Sequence, residues 1–208
     1  MVSREPTERA GEGDLLTGID TAWWDDSEET RLEYVGDAPS DELIVSVENE
    51  LGYRLPASYV ALMRRHNGGI PRLTCCPTPA PTTWAEDHVA IEGIFGVGRT
   101  LSNSLCGESG SRFWIEEWGY PDLGVYFADC PSAGHDMIAM DYSTVSRKGE
   151  PQIVHVDQEW DYAVTVLAPA SPSSCAPCET RSHLTSGEVG HARARSRWPS
   201  RPGTLAEQ

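Results

Sequence analysis

The chain has 208 residues and a formal net charge of −16, with 32 acidic and 16 basic residues. That length allows one domain with tails or at most two small domains. Acidic surfaces repel phosphate backbones, so we expect no direct contact with nucleic acid. The charge favours a basic protein partner, because complementary charge speeds encounter, although acidic residues that serve only solubility fit it equally well.

The charge is uneven along the chain. Residues 169–208 carry five arginines and three glutamates, a charge of +2, whereas the preceding residues carry 11 basic and 29 acidic side chains, a charge of −18. No apolar run approaches the roughly 20 residues that a membrane helix needs, and the N-terminus lacks the apolar middle of a signal peptide. We therefore expect a cytoplasmic protein without a membrane partner.

The N-terminal region divides into two parts. Residues 1–18 are polar without an apolar period, which predicts a disordered leader. Residues 19–39 hold Trp23 and Trp24 followed by acidic residues. We expect an N-terminal extension there, for which docking on the domain is favoured over an exposed apolar patch.

A pair of helices is predicted next. Ser40 can cap a helix with acids in its first turn, apolar residues follow at helical spacing, and Gly52 ends the pattern. Pro56 opens a second helix, and Asn67 with the two glycines after it ends that helix. Four prolines and two cysteines in residues 71–83 then predict an irregular loop.

The second half of the domain is predicted to form strands. A strand over 88–95 is broken at Gly93, and a short helix covers 112–118. Apolar residues then recur with a period of two over 123–128, 136–142, 152–156 and 162–167, with short turns between them. This order predicts a single α+β domain over residues 40–168, an N-terminal helix pair followed by a mainly antiparallel curved sheet. Residues 169–208 are rich in Pro, Ser and Arg and are predicted to be a disordered tail.

Several segments resemble one family when they are taken in order. Leu51–Tyr59 (LGYRLPASY) and the HNGG sequence at 66–69 resemble the opening of the SUKH superfamily, the Smi/Knr cell-wall-assembly-regulator type. The segments 118–128, 132–142 and 149–157 resemble its central strands and the turns between them. The resemblance covers roughly residues 41–168 and implies an α+β fold with a curved sheet flanked by helices.

The resemblance also implies a role. Bacterial members are chiefly immunity proteins, which bind and neutralise a toxin, and many such toxins are basic nucleases. One departure from the family is that members commonly continue past the last strand into an amphipathic helix. Here Ala168 runs into the Pro/Ser/Arg-rich segment, so either that helix is lost or the reading frame has drifted.

Residues capable of catalysis or metal binding occur without a convincing pattern. His135 and Asp136 follow Gly134 at a predicted turn, where we expect all three residues to be structural. His155 and Asp157 share one face of a strand and could both reach a metal, but the sequence offers no obvious third ligand.

The cysteines give no convincing site either. The acidic surroundings of Cys130 raise the pKa of its thiol and argue against a nucleophile. A zinc site would need a second CxxC or spaced histidines beside Cys175 and Cys178, and His183 and His191 are too few and too loosely placed, so we expect neither metal nor cofactor.

An acidic and aromatic stretch between residues 114 and 161 is the favoured binding site, because aromatic anchors rimmed by charge are typical of protein interfaces. The candidate contact residues are Glu116, Glu117, Trp118, Tyr120, Asp122, Glu159, Trp160 and Asp161.

Three functions remain open from the sequence. The leading hypothesis is a non-catalytic immunity protein that binds a bacterial toxin, which could be a nuclease. The second is a regulatory scaffold of the cell-wall-regulator type. The third is a hydrolase that uses His135, Asp136 and His155.

Overall fold

A computed structural model of the chain describes residues 21–168. The predictions of a disordered leader over 1–18 and a disordered tail over 169–208 concern residues outside this range. Within it, none of the helices is long and apolar enough to cross a membrane. The helices and strands follow in the order predicted for an α+β domain, with helices first and the main sheet last.

The predicted helix pair is present. Helix α2 spans Asp41–Leu51, and the Ser40 Oγ accepts a hydrogen bond from the Leu43 N–H at 3.2 Å. It ends at Gly52, whose φ of 80° lies in the left-handed region that glycine adopts without strain. Helix α3 spans Ala57–Arg65 and begins directly after Pro56. Both helices bury one apolar face in the core.

The region before this pair contains an element that the sequence did not reveal. A 3₁₀ turn at Thr21–Trp23 is followed by helix α1, Glu28–Tyr34. The Trp24 ring is buried and stacks on the His66 ring, with 4.6 Å between the centroids. The Asp25 N–H also donates to the Ile70 carbonyl at 2.8 Å. Residues 21–39 therefore pack against the residues that follow α3.

The main sheet is an antiparallel meander of five strands, ordered as they occur in the chain. They are β3 (Gly93–Ile94), β4 (Gly124–Asp129), β5 (Asp136–Asp141), β6 (Gln152–Asp157) and β7 (Ala163–Ala168). Every residue of β5 is buried, as a central strand covered on both faces requires. Helix α4, Ser111–Glu116, packs against β4 and buries Trp114.

The prediction of an irregular loop over 71–83 is wrong for its middle. Strand β1, Cys75–Pro77, pairs antiparallel with β2, His88–Ala90, in a separate two-stranded sheet. Proline is tolerated there because a two-stranded sheet has only edge strands. The break expected at Gly93 separates β2 from β3, and the two strands belong to different sheets.

The meander gives the sheet two distinct ends. The β4–β5 turn (130–135) and the β6–β7 turn (158–162) lie at one end, which we call the acidic end. The β5–β6 connection (142–151) lies at the opposite end. There the Arg54 N–H donates to the Arg147 carbonyl at 2.8 Å, so the α2–α3 turn lies beside that connection. We call this the helical end.

Candidate protein-binding site

One buried carboxylate organises the surface of the acidic end. Asp157 is the last residue of β6 and is 1% exposed. Its Oδ2 accepts hydrogen bonds from the Thr83 N–H at 3.1 Å and the Thr83 hydroxyl at 2.6 Å. Its Oδ1 accepts a bond from the Trp160 N–H at 3.2 Å. Asp157 therefore ties the loop 78–87, between β1 and β2, to the β6–β7 turn.

Each of these two loops presents a tryptophan to solvent. Trp84 directly follows Thr83 and is 39% exposed, and Trp160 is 52% exposed. Large exposed aromatic side chains are unusual on a monomer surface and mark candidate contact sites. Along β7, next to the same turn, Val164 and Val166 are also exposed. The exposed apolar area therefore continues from the turn onto the edge strand of the sheet.

The charged residues of these two loops are all acidic. We define the acidic aromatic surface as Trp84, Glu86, Asp87, Glu159, Trp160 and Asp161, all of which are exposed. The segments 73–98, 113–146 and 149–168 contain no lysine or arginine. Basic groups occur instead at the helical end, where Arg147 and Lys148 lie in the β5–β6 connection. The acidic aromatic surface is therefore suited to a partner with positive charge.

The structure brings most of the predicted contact residues to this end. Glu116 and Glu117 are exposed at the end of α4, and Trp118 is half-buried just after it. The Tyr162 hydroxyl donates to the Trp118 carbonyl at 2.9 Å, which joins the end of α4 to the β6–β7 turn. Asp122 is exposed too, but its carboxylate accepts a 3.5 Å hydrogen bond from the Tyr53 hydroxyl of the α2–α3 turn, which places it at the helical end.

Tyr120 differs from the other predicted contact residues. It is 2% exposed, and its ring packs edge-on against the rings of Trp114 and Tyr126. Its hydroxyl donates to the Gly134 carbonyl at 2.7 Å. Burial, followed by the negative charge of Asp136, raises the pKa of this hydroxyl well above its usual range. Tyr120 is thus a core residue in this structure, and its ring is not available to a partner.

The predicted structural turn, Gly134 to Asp136, has a more specific arrangement than its sequence indicated. Gly134 has a φ of 93°, and a side chain there would meet the Trp114 ring within 3 Å. His135 is exposed. Asp136, in contrast, is buried as the first residue of β5, and its Oδ1 lies 2.9 Å from the Nε2 of His155. The Asp136 side chain therefore contacts a histidine of the neighbouring strand.

These contacts define a buried polar cluster. Asp136 lies directly opposite Asp157 in the pairing of β5 with β6, and His155 is two residues before Asp157 on the same face. One ligand atom from each of the three side chains lies within 4.8 Å of the others. The sequence offered no third ligand beside His155 and Asp157, and strand pairing supplies Asp136. The exposed His135 does not join the cluster.

Cys130 lies at the end of β4 and is buried. Burial, followed by the charges of Asp136 and Asp129, raises the pKa of its thiol well above the usual range. This is the direction that the acidic surroundings predict, with burial as the larger cause, and a protonated thiol is a poor nucleophile.

The sequence analysis did not identify three residues of this surface, Trp84, Glu86 and Asp87. They lie in a proline-rich loop whose apolar residues show no helical or strand periodicity. A signal was nevertheless present. The sequence Trp84-Ala85-Glu86-Asp87 places a tryptophan beside acids, as Glu159-Trp160-Asp161 does. Composition alone could not show that one carboxylate holds both segments.

Comparison with known proteins gives one finding. The model of the SMI1/KNR4 family (SUKH-1) matches residues 38–171, which is more than half of the chain. No curated protein and no solved structure matches the chain.

Proposed function

The chain belongs to the SMI1/KNR4 family (SUKH-1), and from that premise we propose that it is an immunity protein that neutralises a basic toxin domain by direct binding. The SUKH family is generally non-enzymatic, so membership supports a non-catalytic, protein-binding domain. The observation that carries the finer proposal is the acidic aromatic surface, where two exposed tryptophans lie on loops held by Asp157.

The chemistry of this surface supports the proposal in two ways. Tryptophan is enriched among interface residues whose truncation costs 2 kcal/mol or more, and such residues are typically ringed by less important contacts. The surrounding glutamates and aspartates would attract a basic domain over a range of about 8–10 Å at physiological salt. Because Asp157 holds both loop backbones, little ordering entropy would be lost when a partner binds.

We further propose that the protein works in the bacterial cytoplasm, where a nuclease toxin would meet its substrate. Nucleases are commonly basic because they bind phosphate backbones. An acidic protein that covers such a domain would compete with nucleic acid for the same positive surface. Glu116, Glu117 and Trp118 would extend the contact area at the end of α4, and Tyr120 would support it from within the core. Asp122, at the helical end, would lie outside this contact area.

Growth rescue tests the proposal. Each protein encoded beside this gene is expressed alone in a sensitive host, and the one that arrests growth is taken as the toxin. Co-expression of the full chain should restore growth, and the two proteins should form a 1:1 complex. If no neighbouring product is toxic, or if the toxic one does not bind this chain, the proposal is wrong.

A pair of double variants tests the binding surface itself. Trp84→Ala with Trp160→Ala should weaken toxin binding by about 100-fold or more and abolish rescue, since two anchors are lost. Leu32→Ala with Val45→Ala is the matched control, because both side chains are exposed apolar residues on α1 and α2 that do not belong to this surface. The control should bind as the wild type does. Equal losses in both double variants would contradict the assignment of this surface.

A further inference from the structure

The buried cluster at the acidic end has an imbalance of charge. Asp136 and Asp157 are 4% and 1% exposed and lie directly opposite each other on neighbouring strands. Like charges in this position destabilise a sheet, and buried carboxylates normally have a cationic partner. Among residues 21–168, the arginines that form ion pairs bind other carboxylates, namely Asp26, Asp41, Glu50 and Glu116.

His155 does not by itself restore the balance. Its ring is fully buried, its Nε2 contacts Asp136, and its Nδ1 has no hydrogen-bond partner in the described structure. The cluster thus holds two opposed carboxylates and an imidazole nitrogen without a partner, all of them buried, and a buried polar atom without a partner needs an explanation such as a bound ion.

We propose that Asp136, His155 and Asp157 form a binding site for a divalent transition-metal ion of the zinc class. Two carboxylates and a neutral imidazole balance a dication and are ligands that zinc accepts. Zinc–ligand bonds of about 2.0–2.2 Å at tetrahedral angles place two ligand atoms about 3.3–3.6 Å apart. The three ligand atoms lie within 4.8 Å of one another, so side-chain rotations that move them by about 1 Å would close the site.

The position of the site gives it a structural role. Asp157 also accepts hydrogen bonds from Thr83 and from the Trp160 N–H. An ion bound here would join β5 and β6 and would strengthen the anchor of both tryptophan-bearing loops. The proposal does not depend on the immunity function, since a metal could hold this end of the sheet together whatever the surface binds.

Zinc binding to the full chain provides the test. Cys175 and Cys178 are first changed to serine, because this CxxC pair is a competing thiolate source outside the described residues. After dialysis against a chelator, zinc chloride is titrated, and bound zinc and the melting temperature are measured. We expect one zinc per chain and a rise of several degrees in the melting temperature, because a ligand that binds only the folded state stabilises it. Failure to bind zinc would overturn the proposal.

Single substitutions in the same background locate the ion. His155→Gln should lower zinc affinity by at least 100-fold, and Asp136→Asn serves as a second variant with the same expected direction. His88→Gln is the matched control, because His88 is also 2.8 Å from an aspartate, Asp87, but is partly exposed and outside the cluster. Unchanged affinity in His155→Gln, or an equal loss in His88→Gln, would show that the zinc lies elsewhere.

Cobalt substitution gives a readout that needs no variant in the cluster. Cobalt bound by oxygen and imidazole ligands shows ligand-field bands without the intense thiolate-to-metal charge-transfer band. We expect this spectrum from the chain that retains Cys75, Cys76, Cys106 and Cys130. A strong charge-transfer band would assign the ion to cysteines and would refute the proposed ligand set even if the cluster variants failed to fold.

Discussion

The acidic and helical ends of the sheet handle charge in opposite ways. We include helices α2 and α3 with the helical end, since the turn between them lies beside it. There, charged groups pair on the surface, as Arg64 does with Asp41 at 2.5 Å, and Arg147 lies 4.8 Å from the centre of the Tyr53 ring. At the acidic end, carboxylates are buried at the ends of strands, and the loops that carry Trp84 and Trp160 contain no lysine or arginine. Exposed ion pairs contribute little to stability, whereas buried carboxylates have large effects of either sign. The acidic end should therefore dominate the response to mutation and to pH.

The largest expected effect comes from Asp129 at the end of β4. Burial, followed by the charge of Glu92, raises the pKa of its carboxyl to about 7, although the Tyr34 hydroxyl and the Gly93 N–H donate to it. Its proton is therefore held by the folded state and released by the unfolded state between about pH 4 and 7. Its stabilising contribution is complete below pH 4 and falls by about 4 kcal/mol in total as pH rises to 7.

Asp129→Asn should remove this dependence. The free energy of unfolding, measured in urea from pH 4.5 to 8, should fall more steeply with pH in the wild type than in the variant. The difference between the two curves isolates Asp129 from the other titrating groups. Parallel curves would show that Asp129 ionises normally in the folded protein.

Asp157→Ala should lower the free energy of unfolding by about 3 kcal/mol, because three donors lose a buried acceptor. Asp141→Ala is the control at the other end of the same sheet. Asp141 is buried too, but its carboxylate accepts a local bond from the Ser143 N–H at 2.7 Å, so we expect about 1 kcal/mol. Denaturant unfolding measures both values. Equal losses in the free energy of unfolding for Asp157→Ala and Asp141→Ala would contradict the assignment of Asp157 as the anchor of two loops.

A smaller effect is expected from the start of α2. Ser40→Ala removes the side-chain cap on the Leu43 N–H and should cost about 1 kcal/mol. Ser40→Gly should cost only a few tenths of a kcal/mol, because glycine is tolerated at the cap position. Thermal unfolding of the two variants separates loss of the cap from a general loss of order. A cost of several kcal/mol for Ser40→Ala would contradict the view that the helical end is locally stabilised.

The smallest effect should come from the Arg64–Asp41 pair, because both side chains are largely exposed. A double-mutant cycle with Arg64→Ala and Asp41→Ala should give an interaction energy of about 0.5 kcal/mol that declines with added salt. A coupling above about 2 kcal/mol would mean that the helical end is stabilised by charge to the same degree as the acidic end.

Much of the fold could be predicted because the relevant signals are local. The cap at Ser40, the left-handed Gly52 and the period of two in β4 to β7 each involve residues close in sequence. Helix α1 was missed since seven residues between two acidic stretches give little periodic signal. Strand β1 was missed because its prolines indicate a loop, and only pairing with β2 makes it a strand.

The candidate site was predictable only in part. Trp160 and its acidic neighbours were found from composition, but Tyr120 has the same sequence signature and is buried beneath Trp114 and Tyr126. Whether an aromatic residue beside an acid faces solvent depends on what packs over it. That neighbour can be far away in the chain, so a local pattern cannot distinguish an anchor from a core residue.

The sequence by itself determined the helix pair, the strands β4 to β7, the family and the strong negative charge, because each is a property of local pattern or composition. Only the tertiary structure decided which of those charges meet. The register of β5 with β6 places Asp136 opposite Asp157 and within reach of His155, and the loop 78–87 folds over so that Thr83 reaches the same carboxylate. Such contacts join residues 19 and 74 positions apart. They depend on strand register and loop closure, which are set by the packing of the whole domain.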